Sequence, residues 1–219
     1  MRASHIAVLV IAVGLSAVAL AATSNVDGPQ TRPVPTALVA AEGLAEDIQA
    51  DLEAGNWTLA RTKVADLETH RSALRALLRP GKIAGYEVAL DSLISQLRRQ
   101  DRPASLQAAN RLSRAIVGLM ADYDVTVPVQ VGYLDVAGRD VIYAAEAGRW
   151  QDASAAAREL RANYAAVGTH VAGTNQTLDR RLRQRLSELD QAVAAKNAVR
   201  VRAIATALLD DVDLIEQTY

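Results

Sequence analysis

The sequence predicts an all-α protein in which antiparallel helical hairpins form two tandem four-helix-bundle-like repeats. The six prolines lie at or outside the ends of long segments whose apolar residues recur at spacings of three and four, the period of an amphipathic helix. Phenylalanine is absent, while alanine, leucine and valine are abundant, which favours thin helix seams over sheets. Residues 53–60 also recur as residues 146–153, each with one of the two tryptophans. The alternative architecture is a continuous array of α-hairpins.

The repeat is clearest where one helix ends and the next begins. At an offset of 93 residues, Gly55 matches Gly148 and Trp57 matches Trp150. Glycine suits the left-handed residue just past a helix, where a Cβ is penalised. Tryptophan can then close the apolar seam between the two helices with a large buried surface. These four residues are the predicted structural anchors.

The turn around the second tryptophan resembles the turn between the helices of tetratricopeptide repeats, in which a small residue, a bulky aromatic residue and an alanine recur. The resemblance covers about eight residues at each of two places. The predicted helices are longer than those of the 34-residue repeat. The resemblance therefore implies a shared hairpin geometry, and no family is assigned.

The N-terminus is typical of a secretory signal peptide, predicted over residues 1–21. Arg2 supplies a positive start, residues 6–18 are apolar, and residues 19–21 form a small-x-small cleavage site. We therefore expect export to the periplasm or the extracellular space; the alternative is an anchor formed by an uncleaved N-terminal helix. Residues 22–36 contain three prolines and are predicted to be an extended tether.

Composition restricts the classes of partner and chemistry. The chain carries 24 Lys and Arg against 25 Asp and Glu, so it has no overall attraction for nucleic acid. It has no cysteine, which excludes disulfides and thiol chemistry. No second long apolar run follows the signal, so no membrane span is expected after cleavage.

Eight helices are predicted, four in each repeat. Repeat 1 spans residues 37–124 and repeat 2 spans residues 127–219. The second hairpin of each repeat has a turn without glycine or tryptophan. The predicted helices cover residues 37–54, 56–78, 83–100, 102–122, 127–147, 149–170, 174–195 and 197–217.

Charged residues predict how the helices pair. In an antiparallel hairpin, residues equidistant from the turn lie side by side. This places Asp47 beside Lys63 and Asp140 beside Arg158. Pairs of this kind specify register more than they stabilise, because exposed ion pairs contribute at most about 1 kcal/mol.

Four residues are weak candidates for metal ligands. His70 and His170 are the only histidines after the predicted signal, and neither has a partner at metal-ligand spacing. Asp122 and Asp124 lie close together beside tyrosines and could hold a cation or a basic partner. The simpler interpretation is that the histidines lie at helix edges and that the aspartates end a helix and open a turn. No cofactor and no catalytic residue are predicted.

Four further residues are possible partner-facing positions. Tyr123 and Tyr133 flank the connection between the repeats, although both could be large core residues in a chain without phenylalanine. Arg180 and Arg181 belong to a basic run that could contact phosphate or lipid headgroups. A face paired with aspartates near Asp211 is the simpler interpretation of these arginines.

The duplicated scaffold without a catalytic motif favours an exported, non-catalytic helical-bundle protein that binds a protein or a cell-envelope component. The first alternative is a periplasmic helical protein that binds a small ligand, haem or metal. The second alternative is an enzyme without a recognisable motif. The sequence does not identify the partner.

Overall fold

The computed structural model describes residues 32–78 and 80–219, with the side chain of residue 80 excluded. The predicted signal peptide and most of the predicted tether therefore lie outside the described residues. The described part is all-α, as predicted. Its helices are α1 Thr36–Ala54, α2 Trp57–Leu77, α3 Pro80–Arg99, α4 Arg102–Met120, α5 Val129–Glu146, α6 Trp150–Thr174, α7 Gln176–Ala194 and α8 Ala198–Glu216.

Two predicted helix ends need correction. Helix α3 begins at Pro80, three residues before the predicted start. Proline has no backbone N–H, but the N–H groups of the first helical turn have no partner within the helix, so a proline is tolerated there. Helix α6 continues to Thr174, beyond the predicted end at residue 170. There the side chain of Asn175 starts α7 directly by accepting a hydrogen bond from the Leu178 N–H at 3.0 Å.

The helices pack as two four-helix bundles in tandem. In the first, α1 contacts α2 and α4, and α3 contacts the same two helices. In the second, α5 and α7 each contact α6 and α8. Short turns join successive helices, which makes neighbours antiparallel. The predicted tandem arrangement is confirmed.

The predicted glycine turns are confirmed, and two other turns share their geometry. Gly55 and Gly148 have φ values of 78° and 70°. The Arg149 N–H then donates to the Ala144 carbonyl at 2.9 Å, the long bond that closes a Schellman motif. Gln100 and Lys196, at the turns without glycine, also have positive φ values of 56° and 52°.

The bundles meet along α4 and α5. A Cβ on Gly132 would lie 2.9 Å from Val117 Cγ2, so the helices approach closely there. The buried Asn110 side chain donates to the Val136 carbonyl at 2.9 Å and to Asp140 Oδ1 at 2.7 Å. The two glycines of α5 therefore face different helices. Gly132 faces α4 of the first bundle, whereas a Cβ on Gly138 would meet Leu209 of α8 in its own bundle.

Further polar contacts tie the two bundles together. Arg114 of α4 forms ion pairs with Asp140 of α5, at 2.8 Å, and with Glu159 of α6. Tyr143 of α5 donates to Glu53 of α1 at 3.1 Å. The described part of the chain accordingly forms one compact unit.

Candidate functional site

A groove on the second bundle lies between α6 and α7, at the end where α6 begins. Its volume is about 730 Å³. The groove combines an aromatic ring and small apolar residues with a larger share of polar and charged groups. Its walls are formed by Trp150, Gln151, Ser154, Ala157, Arg158, Arg161, Asp190, Val193, Ala194 and Lys196. We call this feature the α6–α7 groove.

Small residues on α6 leave the groove open. At the repeat offset, Ser154 and Ala157 correspond to Arg61 and Val64 of the first bundle. There, Arg61 extends toward α3 and donates to the Leu97 carbonyl at 3.5 Å. In the second bundle the shorter side chains leave the space between the helices unfilled.

The groove has positively charged groups on both walls. Arg158 projects from α6, and its Nη1 donates to Ser154 Oγ at 2.9 Å. Lys196 lies at the turn after α7 and is exposed. Among the described residues neither has a carboxylate partner within ion-pair distance, whereas Arg161 is paired with Asp190. The groove therefore carries two uncompensated positive charges beside the Trp150 ring.

Trp150 contributes to both the core and the groove. Like Trp57, it is partly buried and packs against the apolar core, but its remaining surface lines the groove. The first bundle does not reproduce the charges around this ring, since Ala65 and Glu68 correspond to Arg158 and Arg161. The positive charges that line the groove with Trp150 are therefore absent from the corresponding hairpin of the first bundle.

A second charged feature, the acidic cluster, consists of carboxylates on three helices: Glu42 and Glu46 of α1, Asp135 of α5, and Asp213 and Glu216 of α8. Burial raises the pKa of Glu46 to about 8, and repulsion from Glu42, Asp135 and Glu216 adds to the shift while Arg139 opposes it. Burial likewise raises the pKa of Glu216 to about 7, with repulsion from Asp213, Asp135 and Glu42. Glu216 is exposed to water, which screens these interactions. Glu46, by contrast, is half-buried.

The two histidines among the weak metal candidates lie on different helices, α2 and α6. His170 Nε2 donates to the Thr218 carbonyl at 3.1 Å, and its ring stacks on Tyr219 at 4.0 Å. His70 is half-buried on α2.

The two aspartates at the connection between the bundles are also engaged. Asp122 forms an ion pair with Lys82 at 3.1 Å. Asp124 accepts a hydrogen bond from the Arg32 N–H, and its own N–H donates to the Arg32 carbonyl at 2.9 Å. The described residues contain no group of three or more His, Asp or Glu side chains placed to hold a metal ion.

The tyrosines proposed to face a partner lie at the bundle junction. Tyr133 lies between α4 and α5, with its hydroxyl 3.3 Å from the position a Cβ on Gly118 would occupy. Tyr123 is partly buried against the core, and the Arg32 guanidinium lies 5.4 Å from its ring centroid.

The two arginines proposed for the same role differ from each other. Arg181 forms an ion pair with the buried Asp211 at 2.5 Å, as the hairpin argument predicted. Arg180 is exposed. Only one of the pair is therefore held in a structural contact among the described residues.

Comparison with known proteins adds no relative: no family model, no curated protein and no solved structure matches this chain. Within the described residues, no helix combines the length and apolar character needed to cross a membrane. Sequence reasoning named Trp150 only as a structural anchor and Arg158 only as a pair for Asp140, and it did not bring the groove residues together. The sequence feature that could have indicated the groove is a difference between the two repeats, in which Ser154 replaces Arg61. The repeat itself was recognised from residues that are identical in the two copies.

Proposed function

We propose that this protein is an exported, non-catalytic helical module that binds a protein or cell-envelope partner, and that the partner is held in the α6–α7 groove. One observation carries the proposal. The groove is open and lined by an aromatic ring and charged groups in the second bundle, where Ser154 and Ala157 replace the larger Arg61 and Val64 of the first bundle.

The duplication supplies an internal comparison. Both hairpins use the same glycine turn and the same tryptophan at the start of their second helix. The first bundle carries the larger Arg61 and Val64 at the positions of Ser154 and Ala157, and its α2 and α3 are in looser contact than α6 and α7. The open space of about 730 Å³ leaves part of the Trp150 surface accessible beside charged groups, and a bound partner would remove it from water. A binding role accounts for this feature.

Export is the second part of the proposal and rests on the signal-like pattern of residues 1–21. Cell fractionation and intact-mass measurement test it directly. We expect the protein outside the cytoplasm with about 21 residues removed. Full-length protein in the cytoplasm would contradict export.

The binding role can be tested with a photoreactive amino acid placed at Gln151, which lines the groove. The matched control is Thr58, the exposed residue at the corresponding position of the first bundle. In the native compartment we expect a discrete adduct from position 151, none from position 58, and loss of the adduct when Ser154→Arg fills the groove. Equal adducts at both positions, or an adduct that survives Ser154→Arg, would exclude the groove as the site.

The same preparation distinguishes the alternative function. A stoichiometric metal or a Soret band in protein purified from its native compartment would replace the proposal with a metal- or haem-binding function. Neither signal is expected.

A further inference from the structure

We infer that the α6–α7 groove binds an acidic polypeptide segment, with carboxylates on its two walls and an apolar side chain against Trp150. The inference rests on the proposed binding function and specifies the chemistry of the partner. It depends on the charge, the length and the openness of the groove.

The charges select for anions. Arg158 and Lys196 stand on opposite walls, and among the described residues no carboxylate lies within ion-pair distance of either. Arg161 is already committed, because it is paired with Asp190 and donates to the Leu186 carbonyl at 3.3 Å. A partner that brings carboxylates to Arg158 and Lys196 would form charge-assisted hydrogen bonds, which are stronger than neutral ones.

The shape favours a segment of chain over a compact small molecule. The lining runs along α6 from Trp150 to Arg161, which corresponds to about 16 Å at 1.5 Å per helical residue. An extended peptide of about five residues covers this length. The groove is also open along the seam between two helices, so a small molecule would remain largely exposed to water.

The Trp150 ring adds a requirement for an apolar side chain on the partner. Trp150 is partly buried against the core, and its remaining surface lines the groove together with Ala157 and Val193. An apolar side chain of the partner would bury this surface, at about 25 cal/mol per Å². Side chains three residues apart in an extended segment point in opposite directions, so two acidic residues at that spacing can reach the two walls while an apolar residue between them covers the ring.

The binding test uses the full chain carrying Trp57→Phe, which leaves Trp150 as the sole tryptophan. Its fluorescence is titrated with a synthetic peptide about five residues long, in which two glutamates three residues apart are separated by leucine. Parallel titrations use the corresponding lysine–leucine peptide, free glutamate, and vesicles of anionic phospholipid. We expect saturable binding of the acidic peptide alone, weakened by added salt.

Two variants separate groove binding from general charge attraction. Ser154→Arg adds a positive charge but occupies the groove, so we expect loss of peptide binding. Lys196→Gly removes a charge from a residue with φ 52°, where glycine is better tolerated. We expect it to fold at least as stably and to bind about tenfold more weakly, the effect of losing one charge-assisted hydrogen bond.

The outcomes are distinguishable. Peptide binding that is retained or strengthened by Ser154→Arg would show surface attraction only and overturn the inference. Equal binding of the basic peptide, or binding of vesicles without the acidic peptide, would also overturn it. If position 151 yields its adduct while no acidic peptide binds, the proposed function stands and this inference fails. If neither is observed, both fail.

Discussion

Gly132 offers a direct test of how closely the two bundles approach. An added Cβ would lie 2.9 Å from Val117 Cγ2 and 3.3 Å from Val117 Cγ1 on α4. A valine in a helix is held in one strongly preferred rotamer, so it cannot easily turn away. Gly132→Ala should therefore push α4 and α5 apart.

The magnitude follows from two opposing effects. Replacing glycine with alanine inside a helix stabilises the fold by about 1 kcal/mol. Inserting a methyl group into a closely packed site costs about 1–3 kcal/mol. Gly85, in α3, has no atom within 4 Å of an added Cβ, so Gly85→Ala should retain the whole gain. We expect Gly132→Ala to be less stable than Gly85→Ala by about 2 kcal/mol.

Gly138 provides an intermediate case. An added Cβ would lie 2.7 Å from Leu209 Cδ2, which is the far end of a flexible, partly buried side chain. Leu209 can rotate at modest cost, so Gly138→Ala should leave stability nearly unchanged. The expected order of stability is therefore Gly85→Ala, then Gly138→Ala, then Gly132→Ala.

Urea unfolding followed by far-UV circular dichroism measures these differences by linear extrapolation. A double-mutant cycle with Val117→Ala then isolates the contact, because removing the valine methyl groups makes room for the alanine. We expect a coupling of about 1 kcal/mol or more between the two positions. Gly132→Ala as stable as Gly85→Ala, or strictly additive effects in the cycle, would refute the close α4–α5 approach.

Three further predictions follow from the charges, turns and domain boundaries. Lowering the pH from 8 to 5 should stabilise the protein to urea, because the raised pKa of Glu46 keeps the carboxyl protonated in the folded state at a pH where the unfolded chain has released the proton; Glu46→Gln should reduce this pH dependence, and an unchanged profile would contradict the raised pKa of Glu46. Gln100→Gly should stabilise the protein by about 1 kcal/mol, the usual penalty for a left-handed non-glycine residue; no gain in urea midpoint would mean that this turn differs in solution. Residues 37–124 and 127–219, expressed separately, should each be helical by circular dichroism, since each contains a closed ring of four helices; two unfolded fragments that regain structure only when mixed would instead support a continuous array.

The hairpin-charge argument illustrates where sequence reasoning stopped. It correctly placed Lys63 beside Asp47, at 3.2 Å, because both flank one tight turn. It was wrong for Asp140, which pairs with Arg114 of the other bundle instead of Arg158. Distance from a turn specifies neighbours within a hairpin, but each bundle helix also faces a second neighbour that the chain does not connect directly.

The sequence by itself determined the helices, their turns and their duplication, because these depend on local rules. Apolar spacing fixes the period of a helix, and Gly55 and Gly148 satisfy a left-handed turn that no distant residue needs to specify. Only the tertiary structure decided which contacts close each bundle, that Asn110 and Gly132 join the two bundles, and that Ser154 leaves a groove beside Trp150. These features depend on the volumes and charges that neighbouring helices bring together, which no periodicity within one helix records.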